Sequence, residues 1–219
     1  MENNKKDWRP IWLYILITII GSILVGFVFA TLSIKNGKSI NSSNDVLGAI
    51  STITVDVIIT IIFLILYHKR LKTDFKKLSK KNIIYIIISA VILVSLNELI
   101  SYLFRLFEVD MNNQNTITSY LQAYKIPMAI SIVSLAPFIE EMTFRYSIET
   151  LCKNKIVFVI VSSVVFGLAH DIGISTLLYT LMGACLSIAY IKNDKNILVP
   201  ISIHALNNLV AAIELLLFS

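Results

Sequence analysis

Charged side chains are scarce in this chain, and their scarcity excludes most classes of soluble protein. Only 15% of the 219 residues are Asp, Glu, Lys or Arg, whereas 56% are hydrophobic and the mean hydropathy is +0.78. Soluble domains carry about 25% charged residues. Disordered chains are excluded as well, because they are poor in large apolar residues. The composition therefore predicts a protein embedded in a lipid bilayer.

Cysteine and the common signatures of hydrolases are also nearly absent. The two cysteines, Cys152 and Cys185, have no spacing typical of a metal site or redox pair, and nothing indicates a disulfide framework. The chain contains neither G-x-S-x-G nor H-E-x-x-H. The sequence therefore gives no support to covalent catalysis through Ser, Thr or Cys.

Apolar stretches of about twenty residues recur along the whole chain, which is typical of a polytopic helical membrane protein. We expect an all-α transmembrane helical bundle of about seven spans, with residues 1–219 forming a single integral membrane domain. The predicted spans are Ile11–Leu32, Val46–Tyr67, Ile83–Phe107, Pro127–Thr150, Ile156–His170, Ser175–Ile191 and Leu198–Phe218. The first span is too long for a signal peptide and lacks an A-x-A cleavage site, so we expect it to be retained.

The formal charge of +5 is concentrated in one set of loops. Seven Lys and Arg residues lie between Lys69 and Lys81. The other basic residues on that side are Lys5, Lys6, Arg9, Lys153, Lys155, Lys192 and Lys195. The opposite side has Lys35, Lys38, Arg105 and Lys125. Because loops rich in Lys and Arg stay in the cytoplasm, we expect a cytoplasmic N-terminus, an external C-terminus and no nucleic-acid partner. The composition rich in Lys, Ile and Asn is typical of a low-GC bacterium, so we expect a bacterial cytoplasmic membrane.

Glu140, Glu141 and Arg145 lie well inside the fourth predicted span. A charge at bilayer depth costs at least about 2.5–3.5 kcal/mol, so such residues face a cavity or a partner. Adjacent helical positions point about 100° apart, which predicts different roles for the two carboxylates. Glu141 and Arg145 are four residues apart and can pair along one face, leaving Glu140 free to point elsewhere.

Two later spans carry polar groups that match these. F-G-L-A-H ends the fifth span and places Phe166 and His170 four residues apart. H-A-L-N-N lies early in the seventh span and places His204 and Asn208 on one helical face. Each feature alone is common in interhelical packing. Packing alone is a much weaker explanation for the whole set, which indicates a functional site.

The three motifs in this order, E-E-x-x-x-R, F-x-x-x-H and H-x-x-x-N on separate spans, resemble the CPBP family of intramembrane proteases. This family is also called the CAAX-protease and bacteriocin-processing family, or the Abi family. All motif positions are filled between Ala136 and Asn208, and we expect the motif-bearing core at about 127–218. The resemblance implies an intramembrane endopeptidase that acts on a membrane-associated peptide or protein substrate within the lipid bilayer.

The resemblance also implies roles for the motif residues. Glu140 and His170 would activate a water molecule, while His204 and Asn208 would donate hydrogen bonds to the developing oxyanion. Glu141, paired with Arg145, would support the site by fixing the helix and biasing the charge on Glu140.

A zinc enzyme is the alternative mechanism. Glu140, His170 and His204 would form a His₂Glu ligand set with an open position for water, and Glu141 would be the base. An amide is a poor zinc ligand but a good oxyanion donor, so Asn208 favours the mechanism without metal. We therefore expect that no cofactor is required, with one zinc ion as the alternative.

Two other functions remain open. A non-proteolytic immunity or scaffold protein of the same fold would tolerate the loss of a motif residue, whereas the set here is intact. A small proton-coupled transporter would show paired repeats and broken helices. No internal repeat is visible in the sequence, and the chain has only four prolines. One of them, Pro137, predicts a distortion of the helix one turn before Glu140.

Other polar and small residues in the spans are predicted to pack or to line a cavity. Asp56 and Asn97 fit interhelical pairing, and Glu98 fits a cavity wall or the path of a substrate. Gly26 in the first span and Gly183 in the sixth belong to small-residue patterns that predict close approach of neighbouring helices.

Overall fold

The computed structural model describes residues 6–35 and 44–218, and every regular element in these ranges is a helix. The eight helices are α1 (Arg9–Lys35), α2 (Asn44–Lys76), α3 (Lys80–Leu106), α4 (Asn112–Ala123), α5 (Lys125–Leu151), α6 (Lys155–His170), α7 (Thr176–Lys192) and α8 (Leu198–Phe218). The all-α prediction is confirmed. Of the basic residues used to predict orientation, Lys5 and Lys38 lie outside the described residues.

Five of the helices, α1, α2, α3, α5 and α8, are long and apolar enough to cross a membrane. Helices α6 and α7 are apolar but have only 16 and 17 residues, so they are about 24–26 Å long against a hydrocarbon core of about 30 Å. The chain is thus a multi-pass membrane protein, and the count of seven spans stays a prediction. Helix α4 is polar and was not predicted.

Large apolar side chains cover the outside of the bundle. Phe27, Ile65, Ile92 and Ile160 are all more than half exposed in the isolated chain. Soluble monomers rarely expose apolar surface on this scale, because its contact with water is unfavourable. In a bilayer the same side chains contact lipid, so the outward-facing pattern agrees with the composition.

Helix α5, which carries the first motif, is not a regular α-helix. It contains a first π segment, Ser131–Leu135, and a second π segment, Glu141–Ser147. In the first, the N–H of Ala136 bonds to the carbonyl of Ser131, five residues back. The next residue, Pro137, has no N–H to donate to Ile132. The distortion predicted around Pro137 is therefore present, in a form that is frequent at functional sites.

At one end of the bundle, polar contacts join the segment before α1, the last part of α2, the end of α5 and the α7–α8 loop. We call this the lysine-rich end. The backbone N–H of Asp7, just before α1, donates to Thr150 Oγ1 near the end of α5 (2.9 Å). Arg70 of α2 donates to the carbonyl of Lys195 in the α7–α8 loop. The Lys195 ammonium in turn lies 2.5 Å from Glu149 of α5. These contacts hold the motif-bearing helix at its end.

Helices α6 and α7 pack closely because glycines lie between them. A Cβ atom on Gly183 would lie 3.0 Å from the Cα of Ser163, and one on Gly167 would lie 2.9 Å from the carbonyl oxygen of Thr176. The predicted close approach at Gly183 is confirmed. The same prediction for Gly26 is wrong, since no atom of another helix in the described residues lies within 4 Å of a Cβ at that position. Gly26 lies on an open part of α1.

Candidate active site

A cavity of about 710 Å³ lies inside the bundle, and the motifs of three helices meet at it. Glu140 of α5, His170 at the end of α6, and His204 and Asn208 of α8 all line its wall. These are the four residues for which the resemblance implies catalytic roles. Helices α1, α2, α3, α4 and α7 complete the wall, as Tyr14 of α1 and Glu98 of α3 illustrate.

Glu140 faces two imidazole rings. Its Oε2 lies 3.4 Å from His170 Nε2 and 3.8 Å from His204 Nε2. The side chains of Glu140 and His170 are 17% and 16% exposed, whereas that of His204 is 4% exposed. Neither contact has the alignment of a hydrogen bond, so this oxygen has no such partner in the described residues. The carboxylate is thus enclosed but not locked to either ring.

His170 is held in one orientation by its surroundings. Its Nδ1 lies 2.8 Å from the carbonyl oxygen of Phe166. A carbonyl only accepts, so Nδ1 carries a hydrogen and Nε2 of the neutral ring presents its lone pair to Glu140. The imidazole lies between the rings of Phe166 (centroids 4.2 Å apart) and Tyr179 (5.0 Å). Asn113 of α4 donates to the Tyr179 hydroxyl (3.1 Å) and so fixes that ring as well.

His204 is held by the second carboxylate of the first motif. Its Nδ1 donates to Glu141 Oε1 (2.9 Å), and Glu141 Oε2 lies 3.1 Å from Arg145 Nε. The side chains of Glu141 and Arg145 are completely buried, and their predicted pairing is confirmed. Because Nδ1 keeps its hydrogen, Nε2 of His204 can donate only when the ring is an imidazolium. Both carboxylates lie beside His204, but Glu141 pairs with Arg145 and Glu140 faces His170, so their surroundings differ as their helical positions predicted.

Phe166 connects these groups, which explains its place in the second motif. Its ring is fully buried and lies under the guanidinium of Arg145, 4.3 Å from the centroid. The same ring contacts His170 and lies edge-on to His204 at 6.0 Å. Arg145 also reaches the carbonyl of Gly183 (3.5 Å), which the absence of a side chain at that glycine exposes. One aromatic ring thus sets the positions of three charged or polar side chains.

Asn208 makes a contact that the sequence did not indicate. Its Nδ2 donates to the carbonyl oxygen of Ile132 in the first π segment (3.0 Å). Its Oδ1 accepts from Asn207 Nδ2 (3.3 Å), and Asn207 accepts from Asn97 of α3 (2.8 Å). One amide hydrogen of Asn208 is therefore committed to the backbone of α5, and the other is available to the cavity. A register of π type cannot be read from a sequence, so this role was missed.

Other polar residues of the cavity wall were identified only in part. Asp56 accepts a hydrogen bond from Ser131 Oγ, which confirms its predicted interhelical pairing. Glu98 lines the cavity, as one interpretation of the sequence held, and its carboxyl group interacts with that of Glu214 in α8. Neither Glu214 nor Tyr179 was identified, because neither belongs to a motif or stands out in spacing.

The described side chains around Glu140 are not arranged to hold a metal ion. In residues 6–35 and 44–218, no group of three or more His, Cys, Asp or Glu side chains is arranged to hold one. Glu140, His170 and His204 are the set that zinc would use. Ligand atoms on a tetrahedral zinc with bonds of about 2.1 Å lie about 3.4 Å apart, and the Glu140–His204 distance of 3.8 Å is wider. Glu140, His170 and His204 as placed therefore do not fit a zinc ion.

Comparison with known proteins supports the resemblance. Residues 122–210 match the family described as type II CAAX prenyl endopeptidase Rce1-like. The matched segment is less than half of the chain, but it contains all three motifs and confirms the resemblance read from them. Neither the curated proteins nor the solved structures give a significant match.

Proposed function

Because the motif-bearing part of this chain matches a family of CAAX-type proteases, we propose that the protein is an intramembrane endopeptidase. It hydrolyses peptide bonds of membrane-associated peptides or proteins with a water molecule activated by Glu140 and His170. The observation that carries the proposal is the convergence of His170 Nε2 and His204 Nε2 on Glu140 Oε2 at one cavity.

The first step is attack by water. Glu140 Oε2 is close to His170 Nε2 without a well-aligned bond between them, so a water molecule can donate one hydrogen to each. As the water oxygen bonds to the carbonyl carbon of the substrate, its proton passes to Glu140. The lone pair of His170 orients the second hydrogen, because its Nδ1 is held by Phe166.

The second requirement is stabilisation of the tetrahedral oxyanion. His204 as an imidazolium donates from Nε2, and its charge is supported by the bond from Nδ1 to Glu141. The free amide hydrogen of Asn208 is the second donor. Loss of one preorganised donor of this kind typically lowers a rate about 100–1000-fold. Glu140 then passes its proton to the amide nitrogen, the C–N bond breaks, and a carboxylic acid and an amine are formed. The acid proton passes to the amine, so the products leave as a carboxylate and an ammonium.

We extend the proposal to the position of the chain in the membrane. All seven apolar helices lie in the bilayer, with α6 and α7 packed inside the bundle and not matched to its full thickness. The lysine-rich end is cytoplasmic, which places the start of α1 in the cytoplasm and the end of α8 outside. The membrane is the cytoplasmic membrane of a bacterium. The enzyme requires no metal cofactor.

The test compares Glu140→Gln with Glu149→Gln, the same chemical change on the same helix. Glu149 lies at the lysine-rich end and pairs with Lys195, away from the cavity. Membrane peptides of cells that carry each variant are compared with those of wild-type cells by mass spectrometry. We expect Glu140→Gln to abolish cleavage at normal protein levels and Glu149→Gln to retain it. Identical peptide profiles for all three would favour the scaffold function instead, and near-normal cleavage by Glu140→Gln would refute the assigned base.

A further inference from the structure

The end of the bundle opposite the lysine-rich end is built around α4. Ser119 of α4 donates to Asp45 Oδ1 at the start of α2 (3.2 Å), and Asn113 bonds to Tyr179 near the start of α7. The basic residues at this end within the described ranges are Lys35, Arg105 and Lys125. We call it the α4 end. The two ends of the molecule are therefore chemically different.

The cavity extends from Glu140 toward the α4 end. In α5 its lining runs from Met128 to Glu140, the half that follows α4 in the chain. In α2 and α3 the lining residues, such as Thr52 and Arg105, come from the halves nearer to α4. Helix α4 itself supplies part of the wall, including Gln114. Toward the lysine-rich end, eleven residues of α5 beyond Glu140, about 16 Å of helix, separate the site from the loop.

The part of the cavity toward the α4 end is lined by polar groups that suit a polypeptide. Glu98 and Arg105 of α3, Gln114 of α4 and Glu214 of α8 all reach it. A lipid chain there would exclude water from these groups, and the contact between Glu98 and Glu214 alone would not satisfy them, which is costly in an apolar environment. Peptide N–H and C=O groups, or the water that accompanies them, satisfy them instead. This region therefore fits an extended peptide segment.

Resting on the proposed function, we propose that the substrate reaches Glu140 through the α4 end, from the external side of the membrane. The substrate class is a membrane-anchored peptide, or a protein segment, that extends from the outer surface into the cavity as far as Glu140. Access from the cytoplasm would require passage through the packed and cross-linked lysine-rich end, where Asp7, Thr150, Arg70 and Lys195 are joined.

The route is tested first by thiol labelling, which does not depend on activity. Cys152 and Cys185 are replaced by serine, and single cysteines are placed at Gln114 on the cavity wall and Lys77 at the lysine-rich end. Intact cells are treated with a membrane-impermeant maleimide. We expect Gln114→Cys to react in intact cells, and Lys77→Cys to react at least tenfold faster in inverted vesicles. The reverse pattern would overturn the proposal.

A second pair of variants tests whether the cavity is continuous with the external side. Ser101 lines the cavity, whereas Leu99, two residues earlier on α3, is 56% exposed on the outside of the bundle. Maleimides react with hydrated thiolates. Ser101→Cys should therefore be labelled from outside at least tenfold faster than Leu99→Cys. Equal, slow labelling of both would show a cavity closed to external water and would overturn the route.

The final measurement uses the wild-type protein in liposomes with a fluorescence-quenched peptide carrying an N-terminal acyl anchor. The orientation of the protein in the liposomes is determined in parallel samples by labelling Lys77→Cys and Gln114→Cys. Peptide presented at the α4 end should be hydrolysed at least tenfold faster than peptide presented at the lysine-rich end. Faster hydrolysis at the lysine-rich end would refute the route. Labelling as expected with no hydrolysis from either side, across a set of such peptides, would support the route but contradict the protease function.

Discussion

Replacing Pro137 by alanine should remove the structural need for Asn208. In the first π segment, Ala136 N–H bonds to Ser131, so Ile132 depends on the next N–H along the chain, which Pro137 lacks. Asn208 Nδ2 supplies the missing donor from α8 at 3.0 Å. The Pro137→Ala substitution restores a backbone N–H that can donate to the carbonyl of Ile132. The side-chain donor and the backbone donor are therefore alternatives.

The expected energies separate this role from a catalytic one. A buried carbonyl left unpaired costs about 1–3 kcal/mol, and interhelical hydrogen bonds in membranes average about 0.6 kcal/mol. Because Ile132 lies at the cavity wall and water can reach it, we expect Asn208→Ala to lower the free energy of unfolding by about 1 kcal/mol. Loss of an oxyanion donor would instead slow hydrolysis about 100–1000-fold, equivalent to about 2.7–4 kcal/mol.

The assay is a double-mutant cycle in detergent, with unfolding followed by titration with SDS. Asn208→Ala should destabilise the wild-type background by about 1 kcal/mol and the Pro137→Ala background by close to zero. Its effect on hydrolysis should remain large in both backgrounds. The cycle cancels the effect of Pro137→Ala on the unfolded chain.

Ser162→Ala provides the matched control for this cycle. Ser162 Oγ donates to the carbonyl of Phe144 in the second π segment (2.7 Å), so it makes the same kind of bond away from Pro137. Its cost should be the same in both backgrounds. If Asn208→Ala costs as much in the Pro137→Ala background as in the wild-type background, the two donors are not alternatives and the reasoning is wrong.

Three further predictions concern other parts of the molecule. Arg145→Ala should leave Glu141 buried without its cation, at a cost of about 3–5 kcal/mol, and so reduce the protein in membranes sharply on immunoblots, while Arg105→Ala should accumulate normally. Elemental analysis of active protein should find far less than one zinc per chain, and stoichiometric zinc whose removal and return control activity would contradict the metal-free mechanism. Burial acts to raise the pKa of Asp7, but hydrogen bonds from Arg9 and Tyr67 outweigh it and hold that pKa below its usual value. The stabilisation is therefore present above the unfolded pKa of about 3.9 and is lost as the pH falls through the lower folded value. The melting temperature of the wild-type protein should fall across this range more steeply than that of Asp7→Asn. Parallel curves for the two proteins would contradict this.

The helices were predictable because each is long, apolar and bounded by polar loops. The seven predicted spans coincide with α1–α3 and α5–α8 to within a few residues at most ends. The exception is the second, which ends at Tyr67 in the sequence although α2 continues to Lys76. Hydropathy falls where Lys and Arg begin, but the helix does not end there. Basic residues are good helix formers and the helix simply leaves the membrane.

Helix α4 was missed for a related reason. Its sequence, N-N-Q-N-T-I-T-S-Y-L-Q-A, is too polar to indicate a span and has few strong helix formers. Its place is set by contacts that are distant in sequence, namely Asp45 with Ser119 and Asn113 with Tyr179. Tertiary contacts of this kind do not leave a local pattern. The cavity wall that α4 provides could not therefore be read from the chain.

At the site, the identity of the polar residues was predictable and their partners were predictable only in part. Glu141 and Arg145 pair because four residues on a helix bring side chains together, and this survives the change to a π register. The bond between His204 and Glu141 joins α8 to α5 across 63 positions, so spacing cannot reveal it. The use of one Asn208 hydrogen by Ile132 depends on Pro137, a residue that the sequence indicated only as a source of distortion.

The two adjacent carboxylates of the first motif, Glu140 and Glu141, have linked roles. Glu141 is completely buried between Arg145 and His204, so it holds two cationic or hydrogen-bonding groups and is closed to the cavity. Glu140 is left as the carboxylate that reaches the cavity. In the proposed mechanism, Arg145 and the imidazolium of His204 balance the charges of the two carboxylates. A charge-balanced cluster is far less costly to bury at bilayer depth than any of its members alone. Glu141 therefore allows Glu140 to remain a buried base, because Glu141 holds in place a cation that balances the charge of Glu140.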